Sequence, residues 1–195
     1  ERWQAVHRDL VERVATLPGV TSVAVNSAIP LEGGGSESGV RVEGRPIPPV
    51  GTPGPMCLFQ SSSPDYFRTM GITLVKGRYF DARDTASSGR VAIMDETFVR
   101  TLFPAEDPIG KRISFESHGE DRTSVQIWRE IVGVVRHVRH YGLAQGPPYV
   151  QVYTPFSQLP IWFERRRPIM ALFVRTSIAP ERLTAAVREE LASLD

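Results

Sequence analysis

The stretch Ile131-Val-Gly-Val-Val135 is apolar at odd and even positions alike. Successive side chains of a strand point to opposite faces, so such a segment needs a sheet that is covered on both sides. The rest of the chain has to supply those two covering layers. The strand is predicted over Trp128–Val138. Ile169–Val174 shares its all-apolar character and is predicted as a second central strand.

Helical cover comes from the two ends. Trp3, Val6, Leu10, Val14 and Leu17 recur at three- and four-residue steps, which puts them on one face of a helix. Pro18 and Gly19 stop it. Pro180 opens a closing helix whose buried face is predicted as Leu183, Val187, Leu191 and Leu194. Two short helices are expected in between. Ser63 and Pro64 start the first as cap and first-turn residue, Tyr66, Phe67 and Met70 give it an apolar side, and Gly71 ends it. Asp95 caps the second, which packs Phe98, Val99, Leu102 and Phe103 before Pro104.

Further strands are predicted over Thr21–Asn26, Gly39–Glu43, Met56–Gln60, Val91–Met94, Arg112–Glu116 and Val150–Thr154, with Ile72–Val75 extended. Pro108-Ile-Gly110 is a turn, and Ser117–Ser124 a polar hairpin tip. Gly33–Gly35 and the prolines Pro46, Pro48, Pro49, Pro53 and Pro55 mark connectors, because proline cannot donate to a strand ladder. Helices and strands mix without strict alternation, which indicates an α+β fold. The stretch from Lys111 to Pro168 has no strong helix. Two lobes are therefore expected, 1–110 with 169–195 as the α+β lobe and 111–168 as an inserted β-rich lobe.

The balance of 41% hydrophobic and 23% charged residues is that of a globular chain, not of a disordered tail or a collagen-like fibre. With 23 Lys and Arg against 22 Asp and Glu, the formal charge is +1, so the chain lacks the electrostatic footprint of a nucleic-acid binder. One cysteine, Cys57, excludes an internal disulfide or a four-cysteine zinc site. The longest apolar run, Ile169–Val174, is six residues, short of the about 20 that cross a bilayer as a helix. The chain opens at Glu1 on an amphipathic segment, with no methionine and no signal-peptide pattern, and reads as an excised piece of something larger.

Candidate chemistry is sparse. His137 and His140, with Tyr141 beside them, are the best metal candidates. On a continuing strand their odd spacing would turn the two rings to opposite faces, so rim histidines are expected instead. Gly33–Gly35 lack the Lys and helix start of a phosphate loop. Ser36 and Ser61–Ser63 sit in no nucleophile elbow, and Cys57 is expected as an inert core thiol. Asp81, Asp84, Glu96, Glu106 and Asp107 lack calcium-loop spacing and are expected as solvated carboxylates, with Asp95 and Asp107 in caps and turns. Trp162, Phe163 and Arg165–Arg167 form an exposed loop or a contact with a partner or membrane surface, and Pro46–Pro49 fits a PxxP pattern in a loop. No catalytic, cofactor-binding or metal residue is assigned.

Four segments in order carry a resemblance. They are Ser61-Ser-Ser-Pro-Asp-Tyr-Phe-Arg-Thr-Met-Gly-Ile72 with Gly77-Arg-Tyr-Phe80, Val91-Ala-Ile-Met-Asp-Glu-Thr-Phe98, Phe103-Pro-Ala-Glu-Asp-Pro-Ile-Gly-Lys-Arg112, and Arg129-Glu-Ile-Val-Gly-Val-Val135. Together they resemble the periplasmic core domain of MacB-like ABC transporter permeases, which also carry an FtsX-like membrane region. His140-Tyr-Gly-Leu143 and Val152-Tyr-Thr-Pro-Phe156 are similar to a permease group abundant in acidobacteria. The resemblance departs at Ala179, where Asp or Ser commonly caps, and in the long loop Gly33–Pro55.

The resemblance implies a porter-like α/β lobe with an inserted β-rich lobe, in the periplasm and between the first two membrane helices of an inner-membrane protein. It implies no enzyme activity and no cofactor. The expected role is to couple cytoplasmic ATP hydrolysis to periplasmic movement (mechanotransmission), for efflux or for extrusion of lipoproteins or other substrates. The implied partners are the protein's own transmembrane helices, a second permease copy, a cytoplasmic ATPase and a periplasmic adaptor. The opening and closing helices are expected to couple to the membrane, with Leu31–Pro55 and Ser117–Thr123 as partner surfaces. Two other functions are open on the residues alone: a periplasmic ligand-binding module, and a metal-dependent enzyme using His137 and His140.

Overall fold

The computed structural model describes residues 2–32, 36–46, 54–118, 124–140, 150–159 and 170–193. Gly33–Gly35, Pro48, Pro49, Pro53, the tip 119–123, Tyr141, Leu143, Trp162, Phe163, Arg165–Arg167 and Leu194 lie outside them.

The opening helix α1 (Arg2–Ala15) leads into β1 (Val20–Asn26), and β2 (Ser36–Val42) and β3 (Met56–Ser62) follow. Helix α2 (Tyr66–Met70) precedes β4 (Leu74–Gly77) and β5 (Val91–Asp95), which runs directly into α3 (Glu96–Leu102). Strands β6 (Arg112–His118), β7 (Ser124–Val135), β8 (Gln151–Pro155) and β9 (Ala171–Thr176) come next, and α4 (Thr184–Ala192) closes the chain.

All nine strands join one sheet in the order β2-β6-β7-β5-β8-β3-β1-β9, with β4 on β7. β2 also pairs antiparallel with β3 through Ser36↔Phe59 to Gly39↔Met56, while Val40–Val42 pair with β6. The strand path β2-β6-β7-β5-β8-β3 therefore closes on itself as a ring. The strands predicted in 111–168 and those before it both contribute to it. Its interior is one apolar cluster fed by every strand of the ring: Val40, Cys57, Phe59, Ala92, Met94, Ile113, Phe115, Ile131 and Val152, plugged by Phe98, Leu102 and Phe103 at α3. Phe59 and Phe115 meet edge to face at 5.0 Å.

The demand for two covered faces is met. Ile131–Val135 are buried throughout, with Ile131 inside the ring and Val132 and Val135 on its outer side beneath Tyr66 and Phe67 of α2. Asp95 caps α3, its carboxylate accepting from Thr97 N at 2.6 Å, and Gly71 ends α2 in left-handed geometry at φ 72°.

Four expectations are corrected. α2 starts at Tyr66 with Asp65 at its N-cap position, because the Ser63 hydroxyl instead accepts from Val25 N at 3.0 Å and ties the segment to β1. β9 is an edge strand, not a central one, paired with β1 alone among the described strands and only half-buried. β7 stops at Val135, short of Val138. The closing segment begins as a 3₁₀ turn, Pro180–Leu183, and buries Leu183 alone; α4 itself has no buried residue, and Leu191 is 45% exposed.

Candidate functional site

The first and last described elements form one unit. Leu10 and Val14 of α1 pack on Val23 of β1, with Leu172 and Val174 of β9 and Val187 of α4 around them. β1 and β9 pair antiparallel from Val20↔Thr176 to Asn26↔Ala171. The turn after α1 is held by β9's end, since Ser177 N and Thr176 Oγ1 donate to Gly19 O at 2.8 and 2.9 Å. Arg13 bonds Asp9 at 2.9 Å and Ser193 Oγ at 3.0 Å, and stands 4.0 Å from Glu190. A displacement of either terminal helix thus reaches the same pair of strands.

No group of three metal-ligating side chains is brought together among the described residues. Because β7 ends at Val135, strand alternation does not govern positions 137 and 140. His137 pairs through Nδ1 with the Asp95 carboxylate, and its backbone N–H donates to Glu96 at 3.4 Å. It fastens the exit of β7 to the start of α3. Burial pushes the Asp95 carboxyl above its ordinary range, against the opposing pull of His137 and Thr97. His140 is 3% exposed, which corrects its expected place at the rim.

Ser61 and Ser63 serve the fold. Ser61 Oγ and Thr154 Oγ1 share a buried hydrogen bond of 3.2 Å, and Ser61 N donates to Ser27 Oγ at 2.9 Å. Cys57 is buried inside the ring, where desolvation drives its thiol ionisation upward. The carboxylates are ion-paired rather than merely solvated. Asp84 is 6% exposed and takes a two-pronged contact from Arg78 at 2.8 Å on each oxygen. Asp81 pairs with Arg83, Glu96 with Arg136, Glu106 with Lys111 and Arg45, and Asp107 with Lys76 while also accepting from Ile109 N.

Some buried polar residues had escaped notice in the sequence. Asn26, Gln60 and Gln151 form an amide chain with bonds of 2.7 and 3.2 Å, joined by the Tyr153 hydroxyl. Gln158 fastens the loop before β5, its Nε2 donating to Thr85 O, Ser88 Oγ and Gly89 O and its Oε1 accepting from Val91 N. An Asn or Gln inside an otherwise apolar strand was the signal for the first group. A groove of about 240 Å³ lies beside β2, between Arg41, Arg45, Pro46, Pro55, Leu102 and Trp128. Leu31 is 51% exposed and holds a left-handed backbone at φ 71°, a strained conformation for a residue with a side chain.

None of these groups presents a nucleophile with its base. The described geometry is that of a tied scaffold with polar clamps. A sequence model of the MacB-like periplasmic core domain matches residues 2–194. The chain belongs to that family. It is 29% identical over 93 residues to the macrolide export ATP-binding/permease protein MacB 2 of Aeromonas hydrophila, covering 48% of this chain and 13% of that protein. It is also 29% identical over 92 residues to MacB of Mannheimia succiniciproducens, covering 47% of this chain and 12% of that one. The matched stretch thus spans about an eighth of the length of these curated relatives. The MacB-like domain's fold matches the crystal structure of the periplasmic region of MacB from Actinobacillus actinomycetemcomitans, with a TM-score of 0.61 at 18% identity over 96% of this chain and 73% of that one. It is a periplasmic domain of the MacB-like ABC permease family, of α+β fold. No helix among its described residues is long and apolar enough to cross a membrane.

Proposed function

We propose that this domain is a non-catalytic relay in an ABC permease, moved by ATP hydrolysed on the cytoplasmic side and passing that movement to periplasmic partners. The observation that carries the reading is the joining of α1 and α4 on the β1–β9 pair in a member of this family. Elements near both ends of the chain meet at one sheet edge, so a pull on either helix turns the scaffold as a body. ATP can shift such a domain only if its two arrangements differ in contact free energy. That difference has to come from surfaces outside this chain: membrane helices, a second permease copy and a periplasmic adaptor.

Two surfaces suit those partners. The strained, exposed Leu31 supports the stretch Leu31–Pro55. The β6–β7 hairpin runs beyond β5, because β7 meets β5 only from Glu130 onward, and this supports its tip. The division into 1–110 with 169–195 and 111–168 belongs to the same proposal, with the second segment offering the outward hairpin. Transport of a macrolide, as the relatives' names state, is one substrate class for the whole permease; extrusion of a lipoprotein is another.

The intact permease tests this. Replacing residues 2–193 with a short flexible linker should abolish export while nucleotide binding by the ATPase survives. Export at the original rate after that replacement would refute the relay.

A further inference from the structure

The largest fully buried side chain among the described residues is Arg129, 1% exposed. It lies opposite Ile113 in the β6–β7 register, on the face that Ile113 and Ile131 turn into the ring. It sits at the end of the ring away from α3, where β5 begins. Among the described residues its Nη2 reaches only the Gln158 carbonyl, at 3.5 Å, and its Nε and Nη1 have no hydrogen-bond partner. Arg90, half-buried, stands next to it and donates from Nη1 to the same carbonyl at 3.2 Å. No carboxylate forms an ion pair with either arginine among the described residues. Burial and the charge of Arg90 hold the Arg129 guanidinium down to about 10, still cationic at neutral pH.

Two cations on one carbonyl, one of them buried with open donors, lack a counter-charge among the described residues. A buried guanidinium is tolerated when an anion satisfies its planar fork. We propose that Arg90 and Arg129 form a binding site for a small oxyanion of the phosphate or carboxylate type. The anion bridges half-buried Arg90 and the Nε and Nη1 donors of Arg129. Gln158, whose carbonyl faces both arginines, also fastens residues 85–91 through its side chain. Occupancy therefore stiffens the loop that leads into β5.

The test is thermal unfolding of this chain in 10 mM inorganic phosphate, in 10 mM acetate, and in chloride alone, at matched pH and ionic strength. Phosphate or acetate should raise Tm by about 3 °C, as expected when the anion is at roughly ten times its Kd. Arg90→Gln and Arg129→Met should each abolish that rise, and Arg129→Met should melt no lower than the parent in chloride, since the unpaired charge is gone. A general salting effect would persist in both variants and would overturn the proposal. So would a parent Tm that is the same in all three salts. If Arg129→Met does not fold, the Arg90→Gln comparison decides alone: loss of the anion effect supports the site, retention refutes it.

Discussion

Gly77 and Gly133 face each other across the β4–β7 pairing. A Cβ on Gly77 would run into Val132 O, and one on Gly133 into Arg78 O. Backbone meets backbone here, so no side chain can swing away. This explains the glycine in the middle of the apolar Ile131–Val135 run. Gly133→Ala is expected to cost about 2–3 kcal/mol through overpacking. Gly77→Ala adds the left-handed penalty of its φ of 76°. Gly44→Ala, at φ 77° but with open space around it, isolates that penalty at about 1 kcal/mol. Urea unfolding of the three variants checks the order; equal losses would show that the collision is relieved.

The Arg78–Asp84 pair holds the loop between β4 and β5. Asp84 is buried, and Asp81 N also donates to it at 2.9 Å. Arg78 is 34% exposed, so part of its charge is screened. Asp84→Ala should cost about 2–3 kcal/mol, less than a fully buried pair. Hydrogen exchange should rise first in residues 81–90, ahead of the ring strands.

Stability should fall on acidification, with one group opposing the trend. Asp81 is held below its ordinary range chiefly by hydrogen bonds from Arg83, Glu106 chiefly by Lys111 and Asp107 chiefly by Lys76. Each contributes stability that is present above its unfolded pKa, 3.8 for Asp and 4.5 for Glu, and is lost as pH falls through its lower folded value. Asp95 is raised by burial, so its folded form holds the proton longer and its ionisation costs stability as pH rises. Asp95→Asn removes the opposing group while keeping an oxygen for Thr97 N. Its Tm should therefore drop more steeply below pH 5 than the parent's. A shallower drop would mean that His137, not burial, governs Asp95. Salt should weaken the acid loss, because Asp81, Glu106 and Asp107 lie at the surface.

Local signals carried much of the fold in the sequence. The period of Leu10 and Val14, the cap at Asp95 and the two-sided Ile131–Val135 strand each depend on neighbours within a few residues, and each lies where expected, although the helix ends at Ala15 and leaves Leu17 in the turn that follows. Ring closure was hidden, since Ser36-Glu-Ser-Gly39 has no apolar alternation and its pairing with Met56–Phe59 is fixed by partners distant in the chain. Ser63 looked like a cap because its type suits one, yet the backbone of β1 competes for the same hydroxyl and wins. The polar clamp at Gln158 and the buried Arg129 were invisible for a similar reason, as burial of a polar side chain is decided by what the tertiary fold brings over it.

The relay account predicts a body that moves without deforming. In the intact permease, spin labels can replace the exposed Arg83 and Arg100, whose side chains are 77% and 66% exposed. Buried Cys57 should stay unlabelled. Distances are then measured by pulsed electron resonance in the nucleotide-free and ATP-bound states. The Arg83–Arg100 distance within one copy should stay the same while the Arg100–Arg100 distance between copies changes. A between-copy distance that ignores ATP, or a within-copy distance that follows it, would contradict the account.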